Sequence, residues 1–230
     1  MAEPILLLGK SGTGKSSSLR DLPPAQTIVF RPNSKTFPFG NEGYVIGQNL
    51  IITSELDTIR GTIDAISNQA PNVKYVVLED FTHFFSARIF SDKFLARKNG
   101  GEAFQRWTDF AASVFDALFK NIEKWREDMY IIIVHHTEIK DDGTVGFKSA
   151  GKLLDNSIDV PSYFNFIFHS VTIDKDEGTD YMFQTNQGAG RLAKSFPGMF
   201  ELYERNNLAP MLDKIDKVRL GTLNLKASFR

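Results

Sequence analysis

The sequence predicts an α/β fold with a mostly parallel β-sheet, and three observations support this. Apolar runs such as Ile5–Leu8 and Tyr130–Val134 are typical of parallel strands that are buried on both faces. These runs alternate with helical patterns, which indicates a sheet flanked by helices. The alternating segments Phe164–Ile173 and Tyr181–Thr185 flank a turn and predict an antiparallel hairpin that extends the sheet near the C-terminus.

The other elements follow from local patterns along the chain. Ser54 is a good N-cap for a helix that runs to Gln69, and apolar residues at spacings of three and four predict the longest helix. Strands are expected at Ile5–Leu8, Thr27–Phe30, Tyr44–Thr53, Val73–Leu78 and Tyr130–Val134. Helices are expected at Lys15–Arg20, 54–69, Glu102–Arg126 and Leu208–Val218, with loops at Arg31–Gly43 and Thr137–Lys152.

Length and composition limit the possible classes of protein. The 230 residues predict one domain over residues 1–218 and a C-terminal tail over residues 219–230. The net charge of −1 excludes a global positive field for nucleic acid or anionic membranes. The absence of cysteine excludes disulfides and thiolate chemistry, and no apolar run is long enough to span a membrane. Without a signal-peptide pattern at Met1–Pro4, the expected location is the cytoplasm.

The turn after the first strand carries the strongest functional signal. Residues 9–16, Gly-Lys-Ser-Gly-Thr-Gly-Lys-Ser, match the phosphate-binding loop G-x-x-x-x-G-K-[ST] between an apolar strand and a helix. The glycines let backbone N–H groups turn toward a phosphate, Lys15 supplies a positive charge, and Ser16 offers a hydroxyl to Mg²⁺. A nucleoside triphosphate and Mg²⁺ are therefore the expected ligands. The predicted nucleotide-binding residues are Gly9, Lys10, Ser11, Gly12, Thr13, Gly14, Lys15, Ser16 and Ser17.

Two acids follow the apolar strand that ends at Leu78, namely Glu79 and Asp80. Because ligands bind at the carboxyl ends of parallel strands, these acids are expected beside the phosphate loop. One can hold Mg²⁺ through its water shell, together with Ser16, and the other can orient or deprotonate the attacking water. The sequence leaves open which acid has which role, and Asp80 also suits a helix N-cap.

A pair of histidines follows the strand Tyr130–Val134. His135 and His136 point to opposite faces of an extended chain, so one of them is expected to face the nucleotide, and His136 is taken as the catalytic candidate. Alternatively, both are ordinary residues at the end of a strand.

These features resemble the RecA-fold ATPases, and more narrowly the small phage-encoded RecA-core ATPases associated with recombination or single-strand annealing. The resemblance rests on Gly9–Ser16, the strand 75–80 and the segment 135–138. It continues through residues 151–156 and from Gln184 to Phe200. It implies a RecA-like P-loop fold, Mg²⁺-dependent ATP hydrolysis, and homo-oligomeric rings or filaments.

In such assemblies a basic residue of one subunit completes the neighbouring ATP site, and Arg191 and Lys194 occupy the matching positions. They would neutralise charge that develops on the γ-phosphate. RecA proteins also carry a catalytic glutamate after an early strand. Here Thr27–Phe30 leads into Arg31 without an acid, which favours Glu79 and Asp80 as the water-activating pair.

Aromatic and basic residues are interleaved in Phe81–Lys98, a pattern that occurs in single-stranded DNA sites. The phenylalanines at helical spacing favour the hydrophobic core, whereas Arg88, Arg97 and Lys98 are candidate DNA contacts.

Two other functions remain open. One is a small-molecule or nucleotide kinase, in which Arg88–Arg106 would form a lid over the phosphates. The other is a nucleotide-gated assembly or partner-binding module with little turnover.

Overall fold

The computed structural model describes residues 1–96, 100–148, 159–223 and 225. The bounds of its regular elements are as follows. The strands are β1 (Glu3–Gly9), β2 (Thr27–Arg31), β3 (Leu50–Ile52), β4 (Tyr75–Leu78), β5 (Tyr130–Ile139), β6 (Val145–Phe147), β7 (Phe166–Lys175), β8 (Gly178–Gln184) and β9 (Tyr203–Arg205). The helices are α1 (Leu56–Gln69), α2 (Phe81–Ile89), α3 (Asp92–Ala96), α4 (Gly100–Val114) and α5 (Leu208–Arg219).

One sheet organises the described residues, with strand order β3-β2-β4-β5-β1-β7-β8-β9. The pairings from β3 to β7 are all parallel, whereas β8 and β9 add an antiparallel extension and β6 pairs with β5. The predicted α/β architecture is therefore confirmed: a mostly parallel sheet flanked by helices carries a C-terminal antiparallel hairpin. Strand β5 lies between β1 and β4, so the ends of these three strands meet at one edge.

The sheet separates two hydrophobic cores, and the alternation of side chains along β1 shows the division. Leu6 and Leu8 pack into the core beneath α1, α2 and α4, whereas Ile5 and Leu7 pack into the core beneath α5. Because both faces are covered, the central strands are apolar throughout rather than alternating. This burial fixes the sheet rigidly and holds the carboxyl ends of its strands in place.

Three predicted elements differ from the structure in extent. The helix after the phosphate loop is a single 3₁₀ turn, Ser16–Leu19, because Leu22-Pro23-Pro24 follows at once. The helix predicted for Glu102–Arg126 is α-helical only to Val114 and continues as a π turn at Phe115–Phe119. The extended segment predicted for Tyr44–Thr53 contributes only β3, since Gly47 has a left-handed backbone with φ of 81°.

The prediction of a loop at Thr137–Lys152 is wrong for its first part. Strand β5 continues to Ile139 and pairs with β6 in an antiparallel ribbon. A turn at Gly143, with φ of 78°, reverses the chain, and Asp142 accepts a hydrogen bond from the backbone N–H of Thr144 at 2.9 Å. The ribbon reaches the segment after the hairpin, because Val145 N donates to Gly190 O at 2.7 Å.

Arg126 joins the end of α1 to the start of β4. Its Nη1 donates to the carbonyl oxygens of Ile66, Ser67 and Ala70 at 3.2, 3.4 and 3.1 Å. Its Nη2 donates to the carbonyl oxygen of Val73 at 2.7 Å. The carbonyls of Ile66 and Ala70 also accept the backbone N–H groups of Ala70 and Val73. The carbonyl of Ser67 has no such donor, because Pro71 lacks an N–H, so the guanidinium supplies a partner at the end of the helix.

The C-terminal helix α5 ends at Arg219, next to the predicted domain boundary at residue 218, which stays a prediction. Tyr130 of the central strand β5 anchors this helix, since its hydroxyl donates to Asp216 Oδ1 at 2.6 Å. Lys74 forms an ion pair with the same carboxylate. No helix within the described ranges is both long and apolar enough to cross a bilayer.

Candidate functional site

The phosphate loop follows β1 at the carboxyl edge of the sheet. Its backbone needs glycine at position 14, where φ is 92° and a Cβ would lie 2.9 Å from Tyr181 Cδ1. Gly12 also has a left-handed backbone, with φ of 82°, but it faces open space. The loop therefore has the turned backbone that the sequence predicts, and the C-terminal hairpin packs directly against it.

Lys15 lies inside this loop, and its side chain is held by the loop itself. Its Nζ donates to the carbonyl oxygens of Gly9 and Lys10 at 2.9 and 2.7 Å. Burial lowers the pKa of Lys15 to about 8, although the negative charges of Asp80 and Glu79 oppose this shift. The loop carbonyls thus hold the Lys15 ammonium inside the phosphate loop.

Other loop contacts fix the remaining residues of the motif. Thr13 Oγ1 donates to the carbonyl oxygen of Lys10 at 2.9 Å, and Ser170 of β7 donates to the carbonyl oxygen of Thr13. Gly9, Lys10 and Thr13 therefore shape the loop rather than line the cavity that it borders. The other predicted binding residues line that cavity: Ser11, Gly12, Gly14, Lys15, Ser16 and Ser17.

Glu79 at the end of β4 is joined directly to the phosphate loop. Ser16 Oγ donates to Glu79 Oε1. The second carboxylate oxygen, Oε2, lies 3.3 Å from Nη2 of Arg31, at the end of the neighbouring strand β2. Glu79 is 3% exposed, so its two oxygens are committed to these donors at the base of the cavity.

Asp80 has a different environment. Its backbone is left-handed, with φ of 61° and ψ of 43°, a conformation that aspartate tolerates better than most residues. Its carboxylate lies 2.7 Å from Nδ1 of His83 and 3.3 Å from Nε2 of His136. Burial raises the pKa of Asp80, but the hydrogen bonds from His136 and His83 outweigh burial and hold the pKa below its usual range.

The two histidines of β5 occupy opposite faces, as strand alternation predicts. His136 lines the cavity beside Asp80. His135 is buried, stacks on Phe147 with ring centroids 3.9 Å apart, and has Nε2 2.6 Å from the carbonyl oxygen of Lys148. Burial lowers the pKa of His135 to about 3, which keeps this imidazole neutral in the core. The structure thus places His136, and not His135, at the site.

Two adjoining cavities share the wall formed by Ser17 and Tyr181. The first has a volume of about 460 Å³ and collects the loop residues, Arg31, Glu79, Asp80, His83 and His136. The second has a volume of about 740 Å³ and is lined by Arg20, Lys175, Asp180, Met182, Arg205 and Asn206 in addition to the shared pair. An elongated ligand could therefore extend from the phosphate loop past the Tyr181 ring.

The remaining predicted residues lie away from these cavities. The described lining includes neither Arg191 nor Lys194 nor Arg88. Arg191 Nη1 lies 3.4 Å from Gln184 Oε1, and the backbone of Lys194 pairs with Ile167. Arg97 and Lys98 lie outside the described residues, as does the whole of the predicted segment 151–156.

The aromatic residues of the predicted DNA segment divide as sequence spacing suggests. Four of them belong to the core, and Phe90 is exposed. The core members are Phe81, Phe84, Phe85 and Phe94. Arg106 ends the segment that would form the lid of a kinase. Its Cζ lies 4.7 Å from the centre of the Phe94 ring, and its Nη1 donates to the carbonyl oxygen of Phe94. In the described part this segment packs on the core instead of forming a free lid.

Sequence reasoning missed several residues that line the first cavity, among them Arg31, His83 and Tyr181. Signals for two of them were present. His83 is three residues after Asp80, on the same helix face, and Arg31 follows a buried strand that neighbours β4. Tyr181 carries no such signal, since its place beside Gly14 depends on how the hairpin packs against the loop.

Comparisons with known proteins find likenesses among solved structures only. No protein-family model matches the sequence, and no curated protein does. Among solved structures, the KaiC-like protein PH0186 from the hyperthermophilic archaeon Pyrococcus horikoshii OT3 is similar to this chain, with a TM-score of 0.41 and 12% sequence identity. The match covers 79% of this chain and 76% of that chain.

Proposed function

We propose that this protein is a RecA-like P-loop ATPase that binds ATP and hydrolyses it with Mg²⁺. The observation that carries the proposal is the hydrogen bond from Ser16 to Glu79. It joins a phosphate loop to an acidic strand end inside one cavity, and Lys15 and Asp80 lie in the same wall. A glycine-rich connector without a ligand would need neither the buried lysine nor the acid pair.

The donor set fits a magnesium ion that is completed by the nucleotide. Ser16 and Glu79 offer one hydroxyl and one carboxylate, and within the described ranges no group of three His, Cys, Asp or Glu side chains forms a cage. Mg²⁺ prefers few protein ligands, several waters and phosphate oxygens. When bound, the ion would neutralise charge on the β- and γ-phosphates. We therefore assign Glu79, with Ser16, to the metal side.

The roles of the other residues follow from their positions. The ammonium group of Lys15 would exchange its hydrogen bonds to the loop carbonyls for hydrogen bonds to the β- and γ-phosphates. Asp80 would accept a proton from, or orient, the attacking water, because it is ionised and is held by His83 and His136. His136 would keep Asp80 directed into the cavity.

The second cavity suits the nucleoside part of ATP. The Tyr181 ring is half-exposed between the two cavities and offers a surface on which a base can stack. Asn206 is 5% exposed, and its Oδ1 has no partner among the described residues, so it is an available acceptor for a ribose hydroxyl or a base N–H.

On the resemblance to the phage-encoded RecA-core ATPases, we also propose two partners, single-stranded DNA and a neighbouring copy of this chain. The protein would then act in phage recombination or replication. Arg88 and the exposed Phe90 form the described part of the candidate DNA surface. Arg191 and Lys194 would serve a neighbouring subunit, since they lie outside the cavity of their own chain.

An ATPase assay on the purified chain tests this proposal. We expect phosphate release with Mg²⁺ and none in EDTA, a higher rate with single-stranded DNA, and larger assemblies with ATP than with ADP in sedimentation. Phosphate transfer to a nucleoside monophosphate would instead favour a kinase. Absence of nucleotide binding would contradict the proposal altogether, whereas binding without turnover would favour the nucleotide-gated module.

The pKa of Lys15 predicts how nucleotide affinity depends on pH. Protonated Lys15 attracts phosphate, and bound phosphate would raise the pKa of Lys15 above the value that it has in the free protein. Affinity for ADP in EDTA should therefore be constant below the free pKa and should fall as pH rises through about 8. Isothermal titration calorimetry in buffers of different ionisation enthalpy would also show proton uptake on binding near this pH. A flat affinity profile through this range would contradict the prediction.

A further inference from the structure

Arg31 and Glu79 face each other at the carboxyl edge of the sheet. Their strands are parallel neighbours, with Phe30 opposite Leu78, and Glu79 N donates to the carbonyl oxygen of Phe30 at 2.8 Å. The side chains of Arg31 and Glu79 are 5% and 4% exposed. An arginine is rarely buried unless it is paired, so this placement needs a reason.

The guanidinium of Arg31 is held in one orientation. Its Nη1 donates to the carbonyl oxygen of Lys35, and its Cζ lies 4.4 Å from the centre of the Phe37 ring. Its Nε is buried without a partner within the described ranges. The group is thus clamped at the cavity wall with one donor unused.

The position of this charge matters for an anionic ligand. Without Arg31, Glu79 would be a buried carboxylate with no cation in contact, facing the phosphates of a nucleotide. The carboxylate of Asp80 has its own partners, the imidazoles of His83 and His136. Because buried charges are screened little, an unpaired Glu79 would repel the phosphates strongly unless a divalent cation intervened.

We propose that Arg31 is a positioning residue that neutralises Glu79, so that the site can hold nucleotide phosphates before Mg²⁺ binds. This proposal rests on the proposed function of the same cavity. In this proposal Arg31 affects the order in which ligands bind. The nucleotide can bind without a metal ion, and Mg²⁺ is then needed for hydrolysis.

The test is a double-mutant cycle that removes the two charges singly and together and measures nucleotide affinity. The dissociation constant of a fluorescent ADP analogue is measured in EDTA and in Mg²⁺ for the unmodified chain, Arg31→Gln, Glu79→Gln and the double variant. Arg31→Gln should weaken binding in EDTA by about tenfold or more, and Mg²⁺ should recover most of this loss. The double variant should bind in EDTA within about threefold of the unmodified chain, since the neutral glutamine needs no counter-cation.

Two further variants separate charge from structure. Arg60→Gln removes an arginine on α1 outside both cavities and should leave affinity in EDTA unchanged. Arg31→Lys keeps the positive charge and should retain binding in EDTA within about threefold. If Arg31→Gln fails to fold, the double variant and Arg31→Lys still decide the matter.

The proposal is overturned if Arg31→Gln binds in EDTA as well as the unmodified chain. It is also overturned if the double variant binds as weakly as Arg31→Gln, or if Arg31→Lys loses affinity as glutamine does, since either result would mean that shape rather than charge matters. These outcomes differ from failure of the proposed function, in which the unmodified chain binds no nucleotide with or without Mg²⁺.

Discussion

Replacing Asp80 by asparagine is expected to lower kcat for ATP hydrolysis by about 10³-fold, the scale at which a general base contributes. Asparagine suits this test because it also tolerates the left-handed backbone at this position, where φ is 61°. Its amide oxygen can still accept a hydrogen bond from one of the two histidines, His83 or His136, and its amide nitrogen can donate to the other when that imidazole nitrogen is unprotonated, so the local geometry is kept. The substitution removes the negative charge that would attract the proton of the attacking water.

Nucleotide affinity should survive this substitution, because Lys15, Ser16 and Glu79 are unchanged. Steady-state kinetics together with the dissociation constant of ATP separate the two effects. Asp57→Asn, at an exposed position in the first turn of α1, is the matched control and should leave kcat unchanged. A large fall in affinity with little change in kcat would assign Asp80 to binding instead of to the activation of water.

Arg126→Ala is expected to destabilise the fold by about 3 kcal/mol, because the carbonyl oxygens of Ser67 and Val73 lose their donor. The carbonyl oxygens of Ile66 and Ala70 keep the backbone N–H groups of Ala70 and Val73 as donors. For a chain of this size, such a loss corresponds to a fall in Tm of about 10 °C. The guanidinium serves the carbonyls of Ile66, Ser67, Ala70 and Val73 at once, so its removal affects both the end of α1 and the entry to β4. Thermal unfolding followed by circular dichroism measures the effect.

Asp128→Ala is the control for this prediction. Asp128 pairs with Nε of Arg126 at 2.8 Å, but its own side chain is largely exposed. Removing it should cost no more than about 0.5 kcal/mol, because exposed ion pairs contribute little. If the two variants have the same Tm, the carbonyl contacts of Arg126 do not carry the stability assigned to them.

The fold could be predicted from sequence because its signals are local and repeated. Apolar runs of four to six residues fixed the positions of β1, β4 and β5, and the hairpin β7–β8 followed from alternation across a turn. The extension of β5 into a ribbon was missed, since residues 137–147 are polar enough to suit a loop. Their pairing depends on a partner strand that follows a turn at Gly143.

The candidate site was predicted in part for a similar reason. The phosphate loop is a contiguous motif, and the acid pair follows a recognisable strand, so both were found. The sequence leaves the roles within the acid pair open, and the proposed assignment of Glu79 to the metal depends on its contact with Ser16, which is distant in sequence. The partnership of Arg31 with Glu79 depends on β2 and β4 being neighbours, which is information that the sheet order alone provides.

The antiparallel ribbon formed by β5 and β6 connects two separate regions of the protein, the first cavity and the segment after the hairpin. One end carries His136 on the cavity wall, and Lys148 N donates to His136 O at 3.2 Å. At the other end Leu192 N donates to Val145 O at 2.9 Å, beside Arg191. A continuous set of backbone hydrogen bonds therefore joins the cavity wall at His136 to the segment that carries Arg191, which lies outside that cavity.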